Sequence, residues 1–174
     1  MTEPAPQIET SPLYLEMRDR MLALTNDEGR MRPTEQLPNV YGVIVDVGFD
    51  VLFSVAVFAD GTTSVYNSQG GVISGLGRLQ EIEFFNHQVL VAVETNLDQL
   101  EQVASTPLPD FGRVRITALT YDGRLGADLE GEPLLSGNEP LSDALLNSLA
   151  IIDRAQKIPA DQIVPGSAAP KLVD

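Results

Sequence analysis

Apolar residues change their spacing several times along this chain, and each change marks an element. Leu13, Met17, Met21 and Leu24 recur every three to four residues behind Ser11-Pro12, a serine cap with proline at the first helical position, so the spacing predicts a helix over 12–24. Thr25 to Asn39 is polar and holds Pro33 and Pro38; only Thr25-Asn26-Asp27-Glu28, which fits a capping box, promises a further turn of helix. Val40 to Ala59 is dense in β-branched and aromatic side chains on either side of Gly48-Phe49-Asp50 and reads as two strands. Asp60-Gly61 is a hairpin signal whose favoured turn needs positive φ at both central residues, and Thr62 to Tyr66 continues as a third strand. Ser68 to Gly77 is too rich in glycine for regular structure throughout.

A long helix is predicted over 78–104, with Leu79, Ile82, Phe85, Val89, Ala92, Val93, Leu97, Leu100 and Val103 on one broad face that must lie on a sheet. Pro107 and Pro109 enforce the exit, Arg113 to Tyr121 alternates as a strand, Asp122-Gly123 is a second hairpin signal, and Leu125 to Leu129 returns. Pro140 opens a last helix that turns Leu141, Leu145, Leu149, Ile152 and Ala155 inward, and Pro159 ends it. The fold class is α+β: helix, three strands, helix, two strands, helix, giving a five-stranded, mainly antiparallel sheet with helices packed on one face. By analogy this order is profilin- or roadblock-like, and such an analogy carries no function. Residues 1–10 read as a disordered tail, 11–39 as a helix and linker, 40–156 as a single domain, and 157–174 as a C-terminal tail.

Composition narrows the chemistry. The 174 residues contain no cysteine, which excludes disulfides and thiolate metal sites, and carry a net charge of −14. Residues 40–156 hold sixteen acids against five arginines, too few cations to neutralise a run of phosphates, so nucleic acid and anionic membrane are poor partners. No apolar run approaches the ~20 residues that span a bilayer. The start Met1-Thr2-Glu3-Pro4 lacks the regions of a signal peptide, so the cytoplasm is the expected setting. The charge serves solubility, or steers a basic partner.

Few motifs carry chemistry. Gly75 and Gly77 with Arg78 stand between a strand and a helix, the context in which amide donors bind phosphate, yet Gln80 replaces the third glycine and Glu81 and Glu83 repel an anion. Asp46, Glu81 or Glu83, and Asp122 could converge as a two-metal carboxylate site of ribonuclease-H-like topology, the alternative reading of a metal-dependent hydrolase. Against it, Asp122 is required by its turn. His87 is the only histidine and reads as solvated, Ser68 and Ser74 lack a nucleophile elbow, and Asp110-Phe111-Gly112 stands without the rest of a kinase. Asp128, Glu130 and Glu132 do not match calcium-loop spacing. One side of the strand at 113–121, Arg113, Arg115, Thr117, Leu119 and Tyr121, is amphipathic enough for a protein surface.

The segments Val40 to Gly48, Phe58 to Tyr66, Gly70-Gly71, Gly75-Leu76-Gly77 and Leu119 to Gly123 resemble, across residues 40–156, a family of bacterial proteins that have no assigned activity. That resemblance implies a bacterial cytoplasmic setting and supplies no catalytic residue. The expected function is a non-catalytic interaction domain, without cofactor, that binds a protein partner or itself as a homo-oligomer through a sheet edge or the second sheet face.

Overall fold

The computed structural model describes residues 8–158. Helix α1 (Pro12–Ala23) starts as its sequence dictates: Ser11 Oγ accepts a hydrogen bond from the Tyr14 amide at 3.1 Å and Pro12 fills the first turn. Helix α2 (Asn26–Gly29) is one turn closed by the capping box of Thr25 and Glu28. Strands β1 (Val40–Gly48), β2 (Leu52–Phe58), β3 (Thr63–Asn67) and β4 (Val72–Ile73) follow, then α3 (Gln80–Glu94), β5 (Glu101–Gln102), β6 (Arg113–Thr120), β7 (Gly123–Glu130), α4 (Gly131–Leu135) and α5 (Ser142–Gln156). The tails expected at 1–10 and 157–174 lie largely outside the described residues.

All seven strands join one antiparallel sheet in the order β4-β3-β2-β1-β6-β7-β5, rather than the five expected. The two additions, β4 and β5, are two residues each, too short to leave a period in the sequence. They also leave little edge for another strand to extend.

Helices cover both faces, not one. Val43, Val45 and Val47 of β1 point to the face that carries Ile82, Val89 and Val93 of α3 and Leu145 and Ile151 of α5. Ile44 points the other way, where Tyr14, Met17 and Leu22 of α1 pack with Leu52, Phe58, Tyr66 and Leu119. Every residue of β1 is buried. A strand covered on both sides needs a continuous apolar run rather than alternation, and Val40 to Val47 is one, broken only by Gly42 and Asp46.

Helix α3 stops at Glu94 instead of continuing towards residue 104. Thr95 Oγ1 turns back to the Val91 carbonyl at 2.9 Å and Asn96 Nδ2 to the Ala92 carbonyl at 2.7 Å, side-chain bonds that compete with further helix. Glu94 then ties this end to the sheet, accepting from the Asn39 and Val40 amides at 2.7 and 3.2 Å. The β2–β3 turn differs in type from expectation: among described non-glycine residues only Arg30 has positive φ, so Asp60 does not. Gly61, at φ 94°, closes a longer turn in which the Gly61 amide donates to Phe58 and the Phe58 amide to Thr62.

The connection 103–112 crosses the α1 side of the sheet. Val103 sits 3.3 Å from where a side chain on Gly126 would begin, Leu108 packs with the α1 cluster, and the Asp110 carbonyl lies where a Gly48 side chain would stand. Two strand glycines are thereby explained by close passage of backbone and side chain overhead.

Candidate functional site

The most concentrated polar chemistry lies under α1. Tyr14, Met17, Arg18 and Leu22 form the buried side of that helix, a set shifted from the apolar spacing visible in the sequence because Arg18 is part of it. Arg18 donates from Nε to Asp46 Oδ1 at 3.0 Å and from Nη2 to Oδ2 at 2.8 Å. Ser54, opposite Asp46 on β2, donates to the same Oδ1, and its hydroxyl meets the Tyr14 hydroxyl at 2.6 Å. Asp46 is fully enclosed and Arg18 nearly so.

Electrostatics follow from that enclosure. Burial alone draws the Arg18 guanidinium down, but its hydrogen bonds to Asp46 and the charge of that carboxylate more than offset it, and the net shift is upward. Burial first, and the Asp46 charge second, push the Tyr14 phenol well above its ordinary value. A carboxylate held by a guanidinium and a hydroxyl is a fixed structural element, closed to substrate and already neutralised. Sequence reasoning missed Tyr14, Arg18 and Ser54; the signal was an arginine four residues after an aromatic on the apolar side of a helix.

A second arginine flanks this group. Arg115 on β6 stands opposite Asp46 on β1 and is 9% exposed. Its Nη2 lies 3.6 Å from Asp128 Oδ2, beyond hydrogen-bond length, and its Nε is enclosed without an acceptor. Asp128 is shared between the two arginines, its Oδ2 ion-paired with Arg115 and its Oδ1 accepting from Arg113 Nε at 2.8 Å. Thr117, two residues further on the same side of β6, has an enclosed hydroxyl with no partner.

These positions correct the surface read at 113–121. Arg115, Thr117 and Leu119 are buried on the sheet side shared with α1 and the 103–112 connection, while Arg113 and Tyr121 are half-buried, the Tyr121 ring tilted against Tyr41 at 5.4 Å. The proposed metal residues are not brought together. Asp46 lies under α1, Glu81 and Glu83 are exposed in the first turn of α3 across the sheet, and Asp122 is in the β6–β7 turn. Among the described residues, no group of three or more His, Asp or Glu side chains is placed to share a metal ion.

Gly75, Gly77 and Arg78 line an open cavity of about 360 Å³ together with Asp60 and Glu83, two acids that disfavour phosphate. The glycines answer to backbone geometry: Gly75 has φ 74°, and a side chain on Gly77 would collide with the Gly61 carbonyl. A larger open cavity of about 600 Å³ is bordered by Glu9, Ser11, Asp50 and Phe111. Its carboxylates lie at the N-terminal end of α1, where negative charge complements the helix dipole.

Comparison with protein-family models, with curated proteins and with solved structures found no match. Among the described residues no helix is long and apolar enough to cross a membrane. Among the described residues the exposed large apolar side chains are Leu15, Leu79, Phe84, Phe111, Leu135 and Leu146, and four of these belong to the α3, α4 and α5 layer or its entry. Phe84 is the most open at 59% and meets Phe85 edge-on at 5.6 Å.

Proposed function

We propose that this chain is a non-catalytic protein-interaction domain that associates with a second copy of itself through the outer side of its helical layer, in a bacterial cytoplasm. The observation that carries the reading is Phe84, a large ring on a well-formed helix with more than half its surface in water. Aromatic anchors of this kind dominate association energetics when a partner encloses them. The sheet offers less: its second face is occupied by α1 and its terminal strands are two residues long.

Charge sets the conditions of association. Two chains of −14 repel each other, so salt that screens this repulsion favours the dimer. Light scattering across micromolar concentrations, at low and high salt, is the test. The expected result is a mass rising from 18.8 kDa towards twice that value, more readily in salt, with Phe84→Glu remaining monomeric. A wild-type chain that stays monomeric throughout, or a Phe84→Glu variant that associates like the wild type, overturns it.

A further inference from the structure

Most arginines of this acidic chain have a partner. Arg18, Arg20, Arg113, Arg115 and Arg154 pair with carboxylates, and Arg124 donates to the Leu22 carbonyl. Arg30 and Arg32 form no ion pair with another described residue, although acids outnumber bases by 25 to 11. The two line one open cavity of about 560 Å³, together with Asn26, Asp27 and Pro33. The cavity beside Arg78 holds two acids against one base, whereas here two guanidinium groups stand against a single carboxylate.

The segment that carries this pair is held firmly. Its start is fixed by the Thr25–Glu28 capping box, the Arg30 amide donates to the Asp27 carbonyl at 3.2 Å, and the Met31 amide donates to the Asn26 carbonyl at 2.8 Å. Met31, between the two arginines, is buried in the cluster beneath α1. A backbone pinned at the core leaves only exposed side chains to be ordered when a ligand arrives, which lowers the cost of binding. Arg30 itself has φ 56° and ψ 36°, and no other described non-glycine residue has positive φ. That conformation crowds a side chain and is ordinarily given to glycine or asparagine at a helix end, yet the glycine of this turn stands one place earlier, at 29. Backbone strain kept at the edge of a cavity is a recurrent mark of a ligand clamp.

The geometry points to a binding site for a small oxyanion that brings a hydrogen-bond donor of its own: Arg30 and Arg32 hold the oxyanion, and Asp27 accepts from the donor. Guanidinium groups match the paired oxygens of phosphate and carboxylate. An anion without a proton meets Asp27 as charge against charge, whereas one that retains an O–H turns the same contact into a hydrogen bond. The cavity lies within the range of about 300–1,000 Å³ common for small-ligand sites. Two cations hold one anionic group and not a run of phosphates, so nucleic acid stays excluded. The site shares no residue with the helical layer around Phe84 and does not depend on self-association.

Calorimetry on the full-length chain at low salt tests it, with inorganic phosphate and sulfate as probes. Near neutral pH phosphate retains a proton and sulfate has none. Saturable phosphate binding in the millimolar range is expected, with sulfate about tenfold weaker and either Arg30→Gln or Arg32→Gln weakening phosphate by about tenfold. Asp27→Asn, whose amide can donate, is expected to bring sulfate level with phosphate. Absence of saturable phosphate binding, phosphate binding that survives both arginine substitutions, or sulfate bound as tightly as phosphate by the wild type overturns the proposal.

Arg30→Gly separates binding from helix capping. Glycine accepts the left-handed conformation without crowding, so the urea midpoint is expected to hold or rise while phosphate binding falls about tenfold. A capping role alone predicts the first result without the second, and an Arg30→Gly chain that binds phosphate like the wild type overturns the site.

Discussion

Arg18 and Asp46 are joined by two hydrogen bonds, 3.0 and 2.8 Å long, that cross from the N-terminal helix to the central strand of the sheet. Removing one member of such a buried pair ordinarily costs about 3–5 kcal/mol. Arg18→Met is therefore expected to lose about 3–5 kcal/mol, and Arg18→Met with Asp46→Asn to lose less than the sum of the single variants. Urea unfolding of the four chains measures the coupling, and strict additivity would contradict it.

Tyrosine burial fixes the alkaline limit. Tyr14 and Tyr66 are both raised above the ordinary value of 10.0, chiefly by burial. A group whose folded pKa lies above its unfolded one contributes stability that is complete below the unfolded value and is lost as pH climbs towards the folded one. These two residues are therefore expected to leave the unfolding midpoint unaffected up to about pH 10 and to lower it beyond. Tyr14→Phe is expected to reduce that alkaline loss, which urea midpoints across the pH series would reveal.

Two glycines separate crowding from backbone conformation. A side chain at Gly77 collides with the Gly61 carbonyl, so Gly77→Ala is expected to cost about 2–4 kcal/mol through displaced backbone. Gly123 has open space around it but φ 131°, so Gly123→Ala is expected to cost about 1 kcal/mol. Chemical denaturation ranks the two, and equal losses would show that crowding at Gly77 is relieved.

Thr117 offers a stabilising change. Its enclosed hydroxyl has no hydrogen-bond partner, and Thr117→Val keeps the shape while removing the polar atom. An unmet buried hydroxyl is unfavourable, so the melting temperature is expected to hold or rise. A clear fall would show that the hydroxyl is satisfied in solution.

Local chemistry was the legible part of the sequence. Ser11-Pro12, the Thr25–Glu28 capping box and the strand pattern of Arg113 to Thr120 each act over a few residues and appear where expected. Elements of two residues, such as β4 and β5, are defined by their partners and leave no pattern of their own. The buried polar group was hidden for a related reason. Asp46, Ser54, Arg18 and Tyr14 come from three elements, and an acid in an apolar strand reads equally as a ligand or as half of an ion pair until its partner is placed. Arg115 and Thr117 were read as surface because alternation reveals two sides of a strand without telling which is covered.

The ladder between β1 and β6 is the seam of the whole sheet, and its two strands lie roughly 65 residues apart in the chain. At ribosomal speeds of about 5–20 residues per second, β1 emerges several seconds before the strand that completes it. For that interval the nascent chain holds a finished hairpin with one flank unzipped, its valine-rich backbone open to any passing strand. Unwanted strand addition is thus a hazard of synthesis rather than of the finished sheet.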